Sequence, residues 1–175
     1  MSTLVEIADA NLIRIALMVA AAAFAVVMDV RERRIPNALT LPLAVAGLGI
    51  GAVSGGLSGL AIAVAGLLAG GLFFLVPAAK LGWGMGDLKL AAALGASAGP
   101  VFVLWMGLYA MVAGGLFAVV WLKQQGHLAR VVGAMHGDLR TGQAPIARSG
   151  LSIPFAIPIA AGMVVALVVF PGLPR

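Results

Sequence analysis

The uncharged run from Ile35 to Ala79 limits the possible folds more than any other feature. It holds 45 residues without an Asp, Glu, Lys or Arg. A helix needs about 20 apolar residues to cross a bilayer, so this run is too long for one crossing and fits two. A break is expected near Gly51–Gly56. Only 10% of the chain is charged, where a soluble domain has about 25%. We therefore predict a membrane-embedded chain without a separate soluble domain.

The remaining apolar runs add four crossings. Ala10–Met28 holds one, with Arg14 near its outer end, and Ser149–Pro174 holds another. As one helix, Leu90–Leu122 would be about 50 Å long, against a hydrocarbon core of about 30 Å. Two crossings would both be short, but a break is available at Ala96–Pro100, and the distribution of charge decides in favour of two.

The basic residues support this count. With six crossings, nine of the eleven Lys and Arg side chains share one face, and only Arg14 and Arg175 lie on the other. The nine are Arg31, Arg33, Arg34, Lys80, Lys89, Lys123, Arg130, Arg140 and Arg148. Basic loops stay in the cytoplasm, so this face is predicted to be cytoplasmic and the N-terminus to be outside. The net charge of +5 is thus a topology signal, and no nucleic-acid partner is expected.

The predicted fold is a single all-α membrane domain over residues 1–175, with six transmembrane helices. The expected helices are 10–28, 38–54, 58–79, 87–98, 101–122 and 152–170, with a cytoplasmic loop at 123–150. Apolar residues at helical spacing in that loop predict an amphipathic helix on the inner membrane surface. The chain has no cysteine, which excludes disulfides, thiol catalysis and thiolate zinc sites. No metal and no cofactor is predicted.

Two aspartates stand at junctions between an apolar helix and a cytoplasmic loop. Asp29 follows the first run and Asp87 precedes the fourth, so both lie on the predicted cytoplasmic face. Either one alone fits a carboxylate in the headgroup zone. Two carboxylates brought together share a proton, so one can activate a water while the other protonates a carbonyl. Helix direction predicts that Asp87, at a helix N-terminus, is the ionised base and that Asp29 is the protonated acid.

Glycines surround the second aspartate. Gly82, Gly84 and Gly86 do not favour a helix, so the chain before Asp87 is expected to be irregular. Glycine lets another backbone approach closely, which would admit an extended peptide beside the carboxylate. An ordinary flexible loop is the alternative explanation.

Three segments together resemble the type IV prepilin peptidases. "GMGDLK" (84–89) is similar to that family's Gly-x-Gly-Asp-x-Lys motif, and "DVRERRIPN" (29–37) is similar to its other aspartate motif. "IPFAIPIAAG" (153–162) is similar to its last-helix pattern. The resemblance implies an intramembrane aspartyl endopeptidase that removes the basic leader from prepilins at the cytoplasmic face, usually after a glycine. It assigns the catalytic pair to Asp29 and Asp87.

The chain departs from the larger family members in one respect. Those members carry a cytoplasmic insert between the first two helices, often with zinc-binding cysteines, and they also N-methylate the product. Here that loop is only Asp29–Asn37. The chain therefore resembles the short, peptidase-only branch that serves Flp-type (tight-adherence) pilins, and N-methyltransferase activity is not expected. The resemblance implies a prepilin or pseudopilin substrate and a multi-pass location among the lipids of the bacterial inner membrane. It does not define an oligomeric state.

Other residues of these motifs have supporting roles. Pro36 cannot continue the first helix and Asn37 is suited to cap the second, so both are expected to support Asp29. Lys89 is either a headgroup anchor, a charge near the site or a contact for an acidic substrate residue. Arg33, like its neighbours, is either a topology determinant or a substrate contact.

Two other classes of function compete with a peptidase. In a transporter or channel, the aspartates would bind protons or cations, although such groups usually lie near the midplane of repeated halves. A structural subunit of a secretion assembly would leave the paired aspartates and the Gly-x-Gly segment unexplained.

Overall fold

The computed structural model describes residues 2–81, 84–126 and 155–170. The helices in these ranges are α1 (Ser2–Glu32), α2 (Asn37–Leu81), α3 (Met85–Ala98), α4 (Pro100–Gln124) and α5 (Ala156–Val169). The described residues contain no strand, so the all-α prediction is confirmed.

Helix α2 is a hairpin of two helical legs. The chain bends at Gly56, whose φ of 57° and ψ of −139° are non-helical and in the region that favours glycine. Gly51 and Gly59 lie against each other across the bend. In a continuous helix, residues eight apart are separated by about 12 Å, so this contact requires the chain to reverse direction. The bend falls at the end of the segment Gly51–Gly56, where the sequence predicts a break.

Helix α3 lies at the centre of the bundle and contacts α1, α2, α4 and α5. Its Leu90 and Leu94 are fully buried. Small residues bring it very close to the second leg of α2, where Gly66 lies against the backbone of Gly95. Such contacts are typical of membrane helices, where close packing replaces the hydrophobic effect. The core is therefore built around the helix that carries Asp87.

The last two helices pack on each other at another glycine. The chain leaves α3 at Gly99 (φ 85°) and Pro100 opens α4, within the segment 96–100 where a break is expected. A side chain on Gly162 of α5 would lie 2.5 Å from the carbonyl oxygen of Met106 on α4. This contact fixes α5 against α4, so the N-terminal end of α5 has a defined position.

Three of the described helical segments are long and apolar enough to cross a membrane: Asn11–Glu32, Asn37–Val76 and Pro100–Gln124. Helix α5 is apolar but shorter. Large apolar side chains face outward, with Val53 at 90% exposure. Six crossings, the outside N-terminus and the cytoplasmic position of the aspartates remain predictions. Most of the loop 123–150, with its predicted amphipathic helix, lies outside the described residues.

Arg14 is a buried charge at the end of the bundle opposite Asp29 along α1. It is 7% exposed, and its Nη2 donates hydrogen bonds to Ser54 Oγ and, at 3.5 Å, to the carbonyl of Ile50. Both acceptors lie on the first leg of α2, just before the bend. A buried charge is tolerated when it is hydrogen-bonded, and Arg14 thereby connects α1 to α2.

Candidate active site

One cavity of about 610 Å³ is formed by the end of α1, the start of α2 and the start of α3. Its lining includes every residue that the sequence nominates for the site, namely Asp29, Arg33, Pro36, Asn37, Gly84, Gly86, Asp87 and Lys89. Glu32, Arg34, Ile35 and Met85 complete the lining. The two aspartate motifs, whose aspartates are 58 positions apart in the chain, therefore meet in space.

Asp29 lies in the last turn of α1 and is half-buried. Its Oδ2 accepts a hydrogen bond of 3.0 Å from the backbone N–H of Ala156, the first residue of α5. The end of α1 is shaped by Arg33, which has a φ of 51° and donates its backbone N–H to the carbonyl of Asp29 at 3.0 Å. Two helices and a tight helix end thus fix the position of this carboxylate.

Asp87 is the third residue of α3 and is only 5% exposed. Its backbone N–H donates to the carbonyl of Gly84 at 3.1 Å, and Gly84 has extended backbone angles. The carboxylates of Asp87 and Asp29 are close enough for their charges to interact. Two acidic side chains that line one cavity are therefore within range of each other's charge.

The glycines before Asp87 have different surroundings. Gly84 is extended, as the sequence suggests, but Gly86 lies inside the first turn of α3. A side chain on Gly86 would begin 3.0 Å from Cβ of Ile35, so this glycine gives room to the neighbouring segment of the protein itself. The irregular backbone expected before Asp87 is limited, among the described residues, to Gly84.

Lys89 and Asn37 join the two motifs directly. Lys89 Nζ donates a hydrogen bond of 2.9 Å to Asn37 Oδ1. Asn37 is the first residue of α2, and the carbonyl of Pro36 accepts the first hydrogen bonds of that helix, from Leu39 and Thr40. The Asn37 side chain therefore connects two helices.

Sequence reasoning missed several features of this cavity. Glu32 and Ile35, which were not nominated from the sequence, both line it. The hydrogen bond from Ala156 was also missed, because every residue except proline carries the same backbone donor. The only signal was the likeness of segment 153–162 to a family pattern, which does not specify a contact. Within the described residues, no group of three His, Cys, Asp or Glu side chains is arranged to hold a metal ion.

Fold and cavity together define a class of protein: a helical membrane protein with two carboxylates facing one polar cavity. A model of the type IV leader peptidase family matches residues 16–119, more than half of the chain. The chain belongs to this family and is a membrane peptidase of the leader peptidase kind, with a prepilin-type substrate. The matched range contains Asp29 and Asp87 but ends before α5. No curated protein and no solved structure gave a significant match.

Proposed function

We propose that the chain is an aspartyl endopeptidase that removes the basic leader from Flp-type prepilins at the cytoplasmic face of the bacterial inner membrane. One observation carries the proposal: in a chain of the type IV leader peptidase family, Asp29 and Asp87 line the same cavity. Their carboxylates interact, so they fit a pair that shares one proton.

The chemistry assigned to the pair is peptide hydrolysis. The ionised aspartate takes a proton from a water molecule, which attacks the carbonyl carbon of the scissile peptide bond. The protonated aspartate donates its proton to the carbonyl oxygen. The tetrahedral intermediate then breaks the C–N bond as the proton taken from water passes to the leaving amine nitrogen, and one hydroxyl of the intermediate returns a proton to the aspartate that had donated its own. This proton exchange needs two carboxyl groups within reach of one substrate carbonyl, and the common cavity supports that arrangement.

The Flp-type branch is supported by the connection between α1 and α2. Helix α1 ends at Glu32 and α2 begins at Asn37, so four residues separate them. This is too short for a folded insert, and the chain has no cysteine with which to build a thiolate zinc site. The proposal therefore includes leader cleavage and excludes N-methylation.

The test is cleavage of a co-expressed Flp-type prepilin in a host without its own leader peptidase. We expect Asp29→Asn and Asp87→Asn each to reduce leader removal by at least a thousandfold while the protein accumulates in the membrane. Asn preserves shape but cannot accept and return a proton. Asp138→Asn, the same exchange in the predicted loop 123–150, is the matched control and should cleave like the wild type.

Processing that survives both active-site changes would overturn the peptidase proposal. A product that is cleaved but also methylated at its new N-terminus, as mass spectrometry would detect, would contradict the peptidase-only branch.

A further inference from the structure

The N-terminal end of α3 presents two contacts to the segment that follows α1. Gly86 lies against Ile35, where a side chain would begin 3.0 Å from Cβ of Ile35. Lys89 Nζ donates to Asn37 Oδ1 at 2.9 Å. Gly86 and Lys89 are three residues apart, so they share one face of the helix. One face of α3 is therefore attached to segment 35–37 by an apolar and a polar contact.

Asp87 lies between these two contacts along the chain but faces a different direction. Residues two apart do not face each other on a helix, and the Lys89 ammonium donates its hydrogen bond to Asn37. Segment 35–37 is joined to Asp29 by the helix end at Arg33, whose backbone N–H binds the carbonyl of Asp29. A displacement of this segment from α3 would therefore change the separation of the two aspartates.

We propose that Lys89 is a positioning residue: by binding Asn37, its ammonium group holds segment 35–37 against α3 and so sets the spacing of Asp29 and Asp87. This inference deepens the proposed function and rests on it. It assigns Lys89 no contact with the reacting atoms, and it differs from a headgroup anchor or a substrate-binding charge.

The consequence for catalysis follows from the geometry of proton transfer. A dyad acts only when both carboxyl groups reach the same water and carbonyl, and a misplacement of about 1 Å can cost a hundredfold in rate. Lys89 and Asn37 are both exposed, so their hydrogen bond contributes little to the stability of the bundle. Its loss should therefore lower kcat in a protein that still folds.

The first experiment is a double-mutant cycle on leader cleavage with Lys89→Met and Asn37→Leu. We expect each change to lower kcat about tenfold with KM within twofold of the wild type. The double variant should be no slower than the slower single variant, since both changes remove the same contact. Asn37→Asp keeps an acceptor for the ammonium and should retain at least half of the wild-type kcat.

Lys123→Met is the matched control. Lys123 is an exposed lysine in the last turn of α4 and does not line the cavity. A headgroup anchor would make Lys89→Met and Lys123→Met equivalent, which would overturn the proposal. A rise in KM alone in Lys89→Met would also overturn it, because that result identifies a substrate contact. If the effects of Lys89→Met and Asn37→Leu on kcat multiply in the double variant, the proposal is also overturned, because the two residues then act independently.

A second measurement does not depend on catalysis. Because the chain has no cysteine, spin labels can be placed at Val30→Cys on α1 and Met85→Cys on α3, two exposed positions beside the aspartates. We expect the label-to-label distance distribution to broaden in Lys89→Met and Asn37→Leu and to stay unchanged in Lys123→Met. An unchanged distribution in all three would refute the positioning role, whereas a wild type that fails to cleave prepilin would refute only the proposed function.

Discussion

Asp29 and Asp87 reach their common cavity from opposite ends of their helices. Asp87 is in the first turn of α3, where the helix dipole favours a negative charge, and Asp29 is in the last turn of α1, where the dipole disfavours it. From the sequence, this contrast predicts Asp87 as the ionised member. The structure adds the N-terminus of α5, whose Ala156 N–H binds the Asp29 carboxylate. Both aspartates therefore face a helix N-terminus, and the dipoles no longer distinguish them.

Solvent exposure now favours the opposite assignment, because burial disfavours a charged carboxylate. Asp87 is nearly inaccessible, whereas Asp29 is half-buried and lies near the positive charge of Arg33. We predict that Asp29 is the ionised base and Asp87 the protonated acid of the resting pair. Site-resolved ¹³C NMR of labelled aspartate, assigned with Asp29→Asn and Asp87→Asn, should show a carboxylate shift for Asp29 and a carboxylic acid shift for Asp87 at neutral pH. The reverse pattern would restore the assignment from the helix dipoles.

At the scale of single residues, the motifs predicted which residues line the cavity better than they predicted which hydrogen bonds those residues form. Every residue nominated from the two aspartate motifs lines the cavity, because each motif spans a helix end and its neighbouring loop. The hydrogen bonds of Lys89 to Asn37 and of Ala156 to Asp29 could not be predicted. A lysine side chain can reach many acceptors. Every residue except proline carries a backbone N–H, so the residue type does not indicate which N–H binds the carboxylate.

At the scale of helices, the contact between α2 and α3 depends on glycine. Gly66 and Gly95 touch through their backbones, and Gly70 lies against the carbonyl of Ala91 one turn further along. The sequence shows the spaced pairs Gly66/Gly70 and Gly95/Gly99, but a chain with 24 glycines offers many such pairs by chance. Which pairs meet is decided by the bend at Gly56, and the sequence locates that bend only to within a few residues.

This contact gives a prediction for stability. Gly95→Ala would place a methyl group on the carbonyl oxygen of Gly66, and overpacking of this kind costs about 1–3 kcal/mol. Gly115→Ala on α4 is the matched control, since no atom beyond the adjoining backbone of its own helix lies within 4 Å of the added methyl group. We expect the apparent Tm in detergent to fall in Gly95→Ala and to stay level or rise in Gly115→Ala. Equal Tm values for both variants would show that α2 and α3 are not in this close contact.

The hydrogen-bond partners of Arg14 could not be predicted from the sequence. The sequence locates it near the outer end of the first crossing, where an arginine can extend to the headgroups. In the structure it is buried and binds Ser54 and the carbonyl of Ile50 on α2. The partner lies forty residues away in the chain, and only the bundle brings it within reach. A charge at a membrane interface and a charge that joins two helices therefore look alike in one sequence.

At the scale of the whole molecule, the cavity and the bend of α2 mark opposite ends of the bundle. Asn37 lines the cavity and Gly56 lies nineteen residues further along, which is about 28 Å of helix. This length is close to the hydrocarbon thickness of a bilayer, about 30 Å. The cavity end carries Arg31, Arg33 and Arg34, while the two legs of α2 are uncharged from Asn37 to the bend and beyond it to Ala79. Hydropathy and charge therefore predict an orientation of the molecule in the membrane, and they do not specify how its helices pack.

The predicted orientation can be tested directly, because the natural chain has no cysteine to give a background signal. Val53→Cys and Leu57→Cys flank the bend at exposed positions, whereas Met85→Cys lies at the cavity and Gln125→Cys follows α4. Since basic loops are retained in the cytoplasm, a membrane-impermeant maleimide added to intact spheroplasts should label positions 53 and 57 only. In inverted vesicles the same reagent should label positions 85 and 125 only.

Labelling of Gln125→Cys from outside would mean that α4 crosses in the opposite direction. Labelling of Met85→Cys from outside would place the cavity on the wrong face for cleaving a cytoplasmic leader, and the proposed function would fail with it.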